Sequence, residues 1–245
     1  MLICAATGNA AKLREIRRIL EPRGYQVKSQ KELGILLDPE ENGTTFAENA
    51  YIKAEAICNA SGLPTLADDS GLAVDVLGGE PGVYSARYAG THGDDEANNK
   101  KLLANLAQIP EEKRRAKFVC AICFYMPGGD HITVQGKCPG HIISKARGNN
   151  GFGYDPLFVA DEIGLADGTA APNTQGLTTS EMEDWQKDAI SHRGKALAQL
   201  DAQLEDFMAG RGEDHHNLAV TSVDKSLAFE RNTKFDGDKM TRSLR

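Results

Sequence analysis

The sequence is poor in the features that would place it in a membrane, on a nucleic acid or in an oxidising compartment. No stretch of its 245 residues approaches the roughly 20 consecutive apolar residues that span a bilayer. The opening run Leu2 to Ala6 has no basic segment before it and is too short for the apolar part of a signal peptide. Positive charge is in deficit: 28 Lys and Arg stand against 35 Asp and Glu, a formal net charge of −7. Such a chain has no general attraction for nucleic acid polymers, and a small anion would bind only where local donors and cations overcome that background. The five cysteines (Cys4, Cys58, Cys120, Cys123 and Cys138) are odd in number and loosely spaced, which argues against a disulfide framework and for reduced thiols in a cytosol. Cys120 and Cys123 form a C-x-x-C inside a segment with strand character. Residues an odd number apart on a strand point to opposite faces, so the pair makes a poor metal clip and reads as core. There is no internal repeat and no Walker-type phosphate loop. What remains is a cytoplasmic protein with 40% hydrophobic and 26% charged residues, long enough for one large domain or two closely joined lobes.

The periodicity then divides the chain. Leu2 to Ala6 reads as a buried strand, and Thr7 to Lys12 as a Gly-containing loop. Leu13, Ile16, Ile19 and Leu20 recur at helical spacing. A second helix is expected over about Thr45 to Ala60, with Ala47, Ala50, Tyr51, Ala54, Ile57 and Cys58 on one face and Asn49 and Lys53 at its edge, facing a cleft. Leu63 to Ala67 and Leu72 to Leu77 read as two short strands around a turn, Asp68-Asp69-Ser70-Gly71. Asp94 to Gln108 reads as a helix. Phe118 to Tyr125 and Ile132 to Gly136 read as a hairpin closed by Pro127-Gly128-Gly129-Asp130. Gly148 to Pro156 is a second Gly-rich loop. Ser180 to Glu183 resembles a capping box opening a short helix, and Ser191-His192-Arg193 leads into a longer one carrying Leu197, Leu200, Leu204 and Phe207. Residues 1–210 are expected to form the folded domain. Residues 211–245, polar and without periodicity, read as a flexible tail or an appended segment.

Three groups of residues carry candidate chemistry. Amides opening a helix form an anion site aided by the helix dipole, and Thr7, Asn9 and Lys12 add side-chain donors that suit phosphate. On its own, the loop equally fits a plain turn with Asn9 as N-cap. Asp68-Asp69 fits a solvated turn, a metal site or a general base. Beside a triphosphate a carboxylate requires an intervening cation, since two like charges about 4 Å apart repel by roughly 4 kcal/mol at an effective dielectric near 20. Mg²⁺ suits that place, because it takes oxygen ligands and bridges phosphates. Glu40, Glu41 and Glu48 are further acids. Phe152 is either a packing residue or a platform for a base, and His192-Arg193 is either solvated or a donor pair for a base carbonyl.

Together three segments resemble the inosine/xanthosine triphosphate pyrophosphatase family. They are Ala6 to Lys12; Thr45 to Ala50 with Lys53, Ala67 to Leu72, Val74-Asp75 and Pro81 to Tyr88; and Gly151 to Pro156 with Ile190 to Leu197. The likeness spans about residues 2 to 207. It implies a mixed α/β fold, with a long twisted central sheet and two lobes flanking a cleft, in a homodimer. It implies Mg²⁺-dependent attack of water on the α-phosphate of ITP, dITP or XTP. By position, Thr7, Gly8, Asn9, Ala10, Ala11 and Lys12 hold phosphates, with Lys53 nearby. Asp69 is the proton acceptor and a metal ligand; Glu40 is the second metal acid, with Asp68 as its alternative. Ser70 touches substrate. Phe152, Gly153, Tyr154 and Asp155 hold base and sugar, and Lys187, His192 and Arg193 complete the base pocket. Donors from His192 and Arg193 would accept a 6-keto purine and reject adenine. Two departures stand out: Ala11 replaces the family's usual Gly, and Gly164 to Asp184 diverges, which loosens the placement of Lys187. An enzyme of broader base preference and a non-catalytic nucleotide-binding module are the competing readings.

Overall fold

The computed structural model describes residues 1–210; the segment 211–245, expected to be a tail, lies outside the described residues. In chain order the elements are β1 (Leu2–Ala5), α1 (Ala10–Leu20), β2 (Gln26–Ser29), α2 (Phe46–Ser61), β3 (Thr65–Val74), α3 (Asp95–Asn105), β4 (Arg115–Tyr125), β5 (His131–Ile142), β6 (Phe158–Ala160), β7 (Glu162–Gly164), β8 (Ala170–Pro172), α4 (Asp184–Ile190) and α5 (His192–Ala209). Six strands form one mixed sheet in the order β2-β1-β3-β4-β5-β6. β1 is parallel to β2 and β3, and the remaining pairs are antiparallel. The fold is therefore mixed α/β, as the resemblance implied.

The helices start where the sequence offers caps. Thr45 closes a capping box on α2: its hydroxyl accepts from the Glu48 amide at 3.1 Å, and the Glu48 carboxylate accepts from the Thr45 amide at 3.2 Å. Such caps stabilise a helix by about 1 kcal/mol. Asp94 caps α3 and Ser191 caps α5. The expected box at Ser180 is not a helix start. The Ser180 hydroxyl donates to the Asn150 carbonyl, and the Glu181 carboxylate accepts from the Thr178 amide at 2.9 Å. Ser180 thus ties down the second Gly-rich loop and Glu181 closes a local turn, and α4 opens three residues later on a box formed by Glu183 and Gln186.

The largest departure from the sequence reading is β3. The two short strands and their turn are one continuous ten-residue strand. Asp69 stands opposite Ala121 and Ser70 opposite Cys120 of β4. Gly71 is there for close approach rather than for turning, since a Cβ would collide with the Ser85 hydroxyl and the Gly82 carbonyl.

The long strands β3, β4 and β5 run through more than one core. Near β1, one sheet face buries Leu66, Cys120, Ile122 and Phe124 under α1 and α5. The opposite face buries Ala67, Val119, Ala121 and Cys123 under α2. Further along, Leu72, Val74, Ala116, Cys138 and Ile142 pack with Leu102 and Leu106 of the α3 region, Phe158 of β6 and Ile190 of α4. Cys120 and Cys123 thus lie on opposite faces, and all five thiols are free and buried. α5 approaches β5 so closely that a Cβ on Gly136 would overlap the His192 carbonyl and the Ala196 amide. Among the described residues no helix is long and apolar enough to cross a membrane.

Candidate active site

A cleft of about 1300 Å³ opens where the N-terminus of α1, the middle of β3, the start of α5 and the 151–155 loop meet, larger than the roughly 300–1,000 Å³ usual for a small-molecule site. Its first wall is the loop after β1. The Asn9 side-chain oxygen accepts from the Lys12 amide at 3.2 Å, and the Thr7 hydroxyl accepts from the Asn9 amide at 3.1 Å. Asn9 is therefore the N-cap. Thr7, Gly8, Asn9 and Lys12 line the cleft, and the first turn of α1 carries no acid. The Asn9 cap matches the plain-turn reading, and the positive end of the helix faces the cleft. Ala10 and Ala11 fall within α1, in right-handed backbone that any residue adopts.

The adjacent carboxylates of β3 do not share a site. Successive strand residues face opposite sides of the sheet, and the two aspartates have separate partners. Asp68, 2% exposed, meets Lys12 Nζ at 2.9 Å and Arg193 Nε at 3.3 Å. Burial pushes its pKa up, but Lys12 and Arg193 outweigh that and hold the carboxyl well below the usual range. Asp69 looks into the cleft, accepting from Asn49 Nδ2 at 3.0 Å and from the Ser70 amide at 2.9 Å. Here burial prevails. Desolvation, joined by repulsion from Glu41, raises Asp69 to about 6 despite the Asn49 hydrogen bond. A carboxylate tuned close to neutrality is suited to general-base work. The solvated-turn reading of Asp68-Asp69 is overturned: both are buried. Asp68 is saturated by cations and is a poor choice as a metal acid.

The acid opposite Asp69 is Glu41. It lines the cleft and pairs with Lys53 Nζ. Burial lowers the pKa of Lys53, but Glu41, Asp68 and Asp69 more than restore it and keep the ammonium charged. Glu40, which the resemblance had named, is exposed and does not line the cleft, whereas its neighbour Glu41 does. Asn49, expected to meet a ligand, is fully buried. Its amide bridges Asp69 and the Gly43 amide, the latter at 2.8 Å, tying the Glu41 loop to β3.

At the other end Phe152 presents a ring that is 49% exposed, with Lys187 Nζ 5.2 Å from its centroid. Asp155 does not face ligand space freely. Its carboxylate accepts from Lys187 at 2.6 Å, from the Phe152 amide at 3.0 Å and from Thr179 at 2.9 Å. Tyr154 is buried, and its hydroxyl donates to the Ser85 carbonyl at 2.9 Å. These two residues shape the loop. Lys187, whose position the sequence left insecure, stands in the cleft wall. His192 stacks on Phe118 at 5.2 Å, and burial together with the charges of Arg193, Lys187 and Lys12 presses its pKa well below the usual value. Both effects favour the neutral imidazole. Arg193 was expected to donate to a base. Its guanidinium is instead engaged by Glu15 at 2.7 Å, Ser70 at 3.2 Å and Asp68, and it is 3% exposed. Arg87, named in the sequence reading only as part of the Pro81 to Tyr88 segment, and Asp95 at the start of α3, given no site role there, also line the cleft.

The cleft wall holds seven Lys or Arg and eight Asp or Glu residues. A wall so nearly balanced cannot by itself neutralise a polyphosphate. Among the described residues no group of three or more His, Cys, Asp or Glu is arranged to hold a metal alone. Two acids without a full cage match Mg²⁺, which completes its shell with water and substrate phosphate.

The chain resembles known proteins over most of its length. The profile of the Ham1 family matches residues 3–203. The dITP/XTP pyrophosphatase of Bacillus licheniformis is 46% identical over 203 residues, covering 83% of this chain and 97% of that protein. The dITP/XTP pyrophosphatase of Haemophilus influenzae is 47% identical over 204 residues, covering 82% and 98%. Among solved structures, the Staphylococcus aureus Ham1 protein superposes with a TM-score of 0.73 at 39% identity, covering 84% of this chain and 99% of that one. A HAM1 protein from Coxiella burnetii gives 0.74 at 36%, with the same coverage.

Proposed function

The chain belongs to the Ham1 family, and from that premise we propose that it hydrolyses noncanonical purine nucleoside triphosphates, among them dITP, ITP and XTP, to the monophosphate and pyrophosphate. The observation that carries this reading is Asp69: a buried carboxylate with its pKa raised to about 6, fixed by Asn49, between a helix N-terminus and the Glu41–Lys53 pair. Thr7 to Lys12 take the phosphate oxygens through helix-end amides and the Lys12 ammonium. Lys53 supplies a second cation. Asp69 accepts a proton from water as the water oxygen bonds to the α-phosphorus. The bond to the α–β bridging oxygen breaks, and the electron pair leaves with pyrophosphate. Mg²⁺ bound between Asp69 and Glu41 would offset phosphate charge and lower the pKa of a coordinated water.

Base selection rests on Phe152, Lys187 and His192. The ring of Phe152 stacks on any base. Lys187 has ammonium protons beyond the one given to Asp155, and neutral His192 has a single N–H; these are the donors that suit a 6-keto group. Arg193, engaged by carboxylates, holds the floor beneath them. The same resemblance supports a cytoplasmic homodimer, which sedimentation of the full chain would test.

A hydrolysis panel decides the reading. With Mg²⁺ present, pyrophosphate release is expected from dITP, ITP and XTP and not from ATP, CTP or UTP, and chelation with EDTA abolishes it. Equal release from all triphosphates would favour a broad enzyme led by Phe152 stacking. Tight binding without release would favour a sensor. In the same assay Phe152→Ala is expected to raise KM about 10-fold or more for every substrate, since stacking on an aromatic contributes roughly 1–3 kcal/mol per base. An unchanged KM would remove Phe152 from the site.

A further inference from the structure

The ring of Phe152 is half-exposed, with the Lys187 ammonium over it, and the backbone beside it is held in place. The next peptide is gripped from α3. The Gly153 amide donates to Asp95 Oδ2 at 2.7 Å, and the Gly153 carbonyl accepts from Asn99 Nδ2 at 2.8 Å. Asp95 and Asn99 are one helical turn apart, so both side chains leave the same face. Gly153 sits at φ 61°, in the left-handed region that glycine adopts without strain. Asn99 accepts a cost in this arrangement: its Oδ1 is buried and has no hydrogen-bond partner among the described residues. Turning the amide over would present that oxygen to the Gly153 carbonyl, so the grip fixes which end is left unsatisfied. Buried polar atoms are rarely left so without a reason. α3 is itself anchored on the 82–90 segment. Asn98 accepts from the Ala89 amide at 2.7 Å, and Lys101 donates to the Tyr88 carbonyl at 2.6 Å.

We infer that Asp95 and Asn99 are positioning residues for base recognition: they clamp the Gly153 peptide and so set the plane of Phe152 against the base. The inference rests on reading the cleft as a nucleoside triphosphate site. It assigns α3, which carries no group that reacts, a role in affinity for the base end of the substrate.

The test is a double-mutant cycle in the full chain, using Asp95→Ala/Asn99→Ala with and without Phe152→Ala. Releasing the clamp is expected to raise KM for dITP about 10-fold, with kcat within twofold of wild type and unchanged inhibition by inorganic pyrophosphate. With Phe152→Ala already present, the clamp variants are expected to add nothing, as for residues that act through one another. Asp95→Asn, which keeps an acceptor for the Gly153 amide, should restore KM. If the double variant fails to fold, Asn99→Ala alone serves. Isothermal titration calorimetry with inosine monophosphate measures binding without turnover. Weaker binding in the clamp variants and in Phe152→Ala alike supports the inference even if wild type hydrolyses nothing, an outcome that would sink the functional reading alone. Unchanged KM and nucleotide affinity, full additivity with Phe152→Ala, or a parallel loss of pyrophosphate inhibition would overturn the clamp.

Discussion

Asp69→Asn is expected to lower kcat by about 10³-fold while making the metal-free protein more stable at neutral pH. General-base removal alone is worth about 10²–10⁴ in rate, and the amide keeps shape and one acceptor for Asn49 or Ser70. The stability gain follows from linkage. The carboxyl rises from 3.8 to about 6 on folding, so the native state binds the proton more tightly than the unfolded chain. The stability this gives is complete below 3.8 and is lost as pH rises through 6; above that, wild type carries an ionised, partly desolvated group. The full shift corresponds to about 3 kcal/mol, and part of the gain is lost because the amide turns one donor toward its neighbours. Thermal denaturation in EDTA should therefore show Asp69→Asn more stable by about 1–3 kcal/mol at pH 8 and equal to wild type near pH 4. Turnover at the wild-type rate would remove Asp69 from its role. Equal stability at pH 8 would mean that burial does not perturb it.

Asp68→Ala should have the opposite character: a large loss of stability with activity lost as a consequence. Lys12 and Arg193 both depend on this carboxylate, and removing one partner of a buried ion pair costs about 3–5 kcal/mol. Because the pairing depresses its pKa, the contribution is complete above the ordinary carboxylate range and is lost as pH falls through the depressed value. A urea midpoint measured at pH 7.5 should fall markedly for Asp68→Ala, and the difference should shrink in acid. A loss below about 1 kcal/mol would show that Lys12 and Arg193 relax to solvent or to Glu15 at little cost.

The contrast between these neighbours was not legible in the sequence. Two carboxylates before Ser-Gly read as a turn, and only the continuous pairing of β3 with β4 places them on opposite faces. What periodicity and caps encode locally was legible: β1, α1, the start of α2 at Thr45, and the β4–β5 hairpin. The strands β6, β7 and β8 have three residues each, too few for any period to emerge. In the cleft wall, the helix-end loop, Lys53, Asp69 and Phe152 were identifiable from residue type and place, and Lys187 only through the family resemblance. Arg193 was not, because a guanidinium reads alike whether it faces a base or three oxygens from α1 and β3. Glu40 and Glu41 are adjacent residues of one type outside any regular element, which composition and periodicity cannot tell apart.

Gly136 has no polar side chain and lines no part of the cleft, yet it lets α5 lie against β5 at the turn that carries His192 and Arg193. A single added methyl there would lift that turn, and with it the Arg193 prop under Ser70 and the imidazole beside Phe118. The calibration of the base pocket is therefore set partly by the clearance between α5 and β5. Among enzymes built this way, differences in nucleobase preference need not lie among the residues that touch the base; they can arise from a change in backbone clearance behind it.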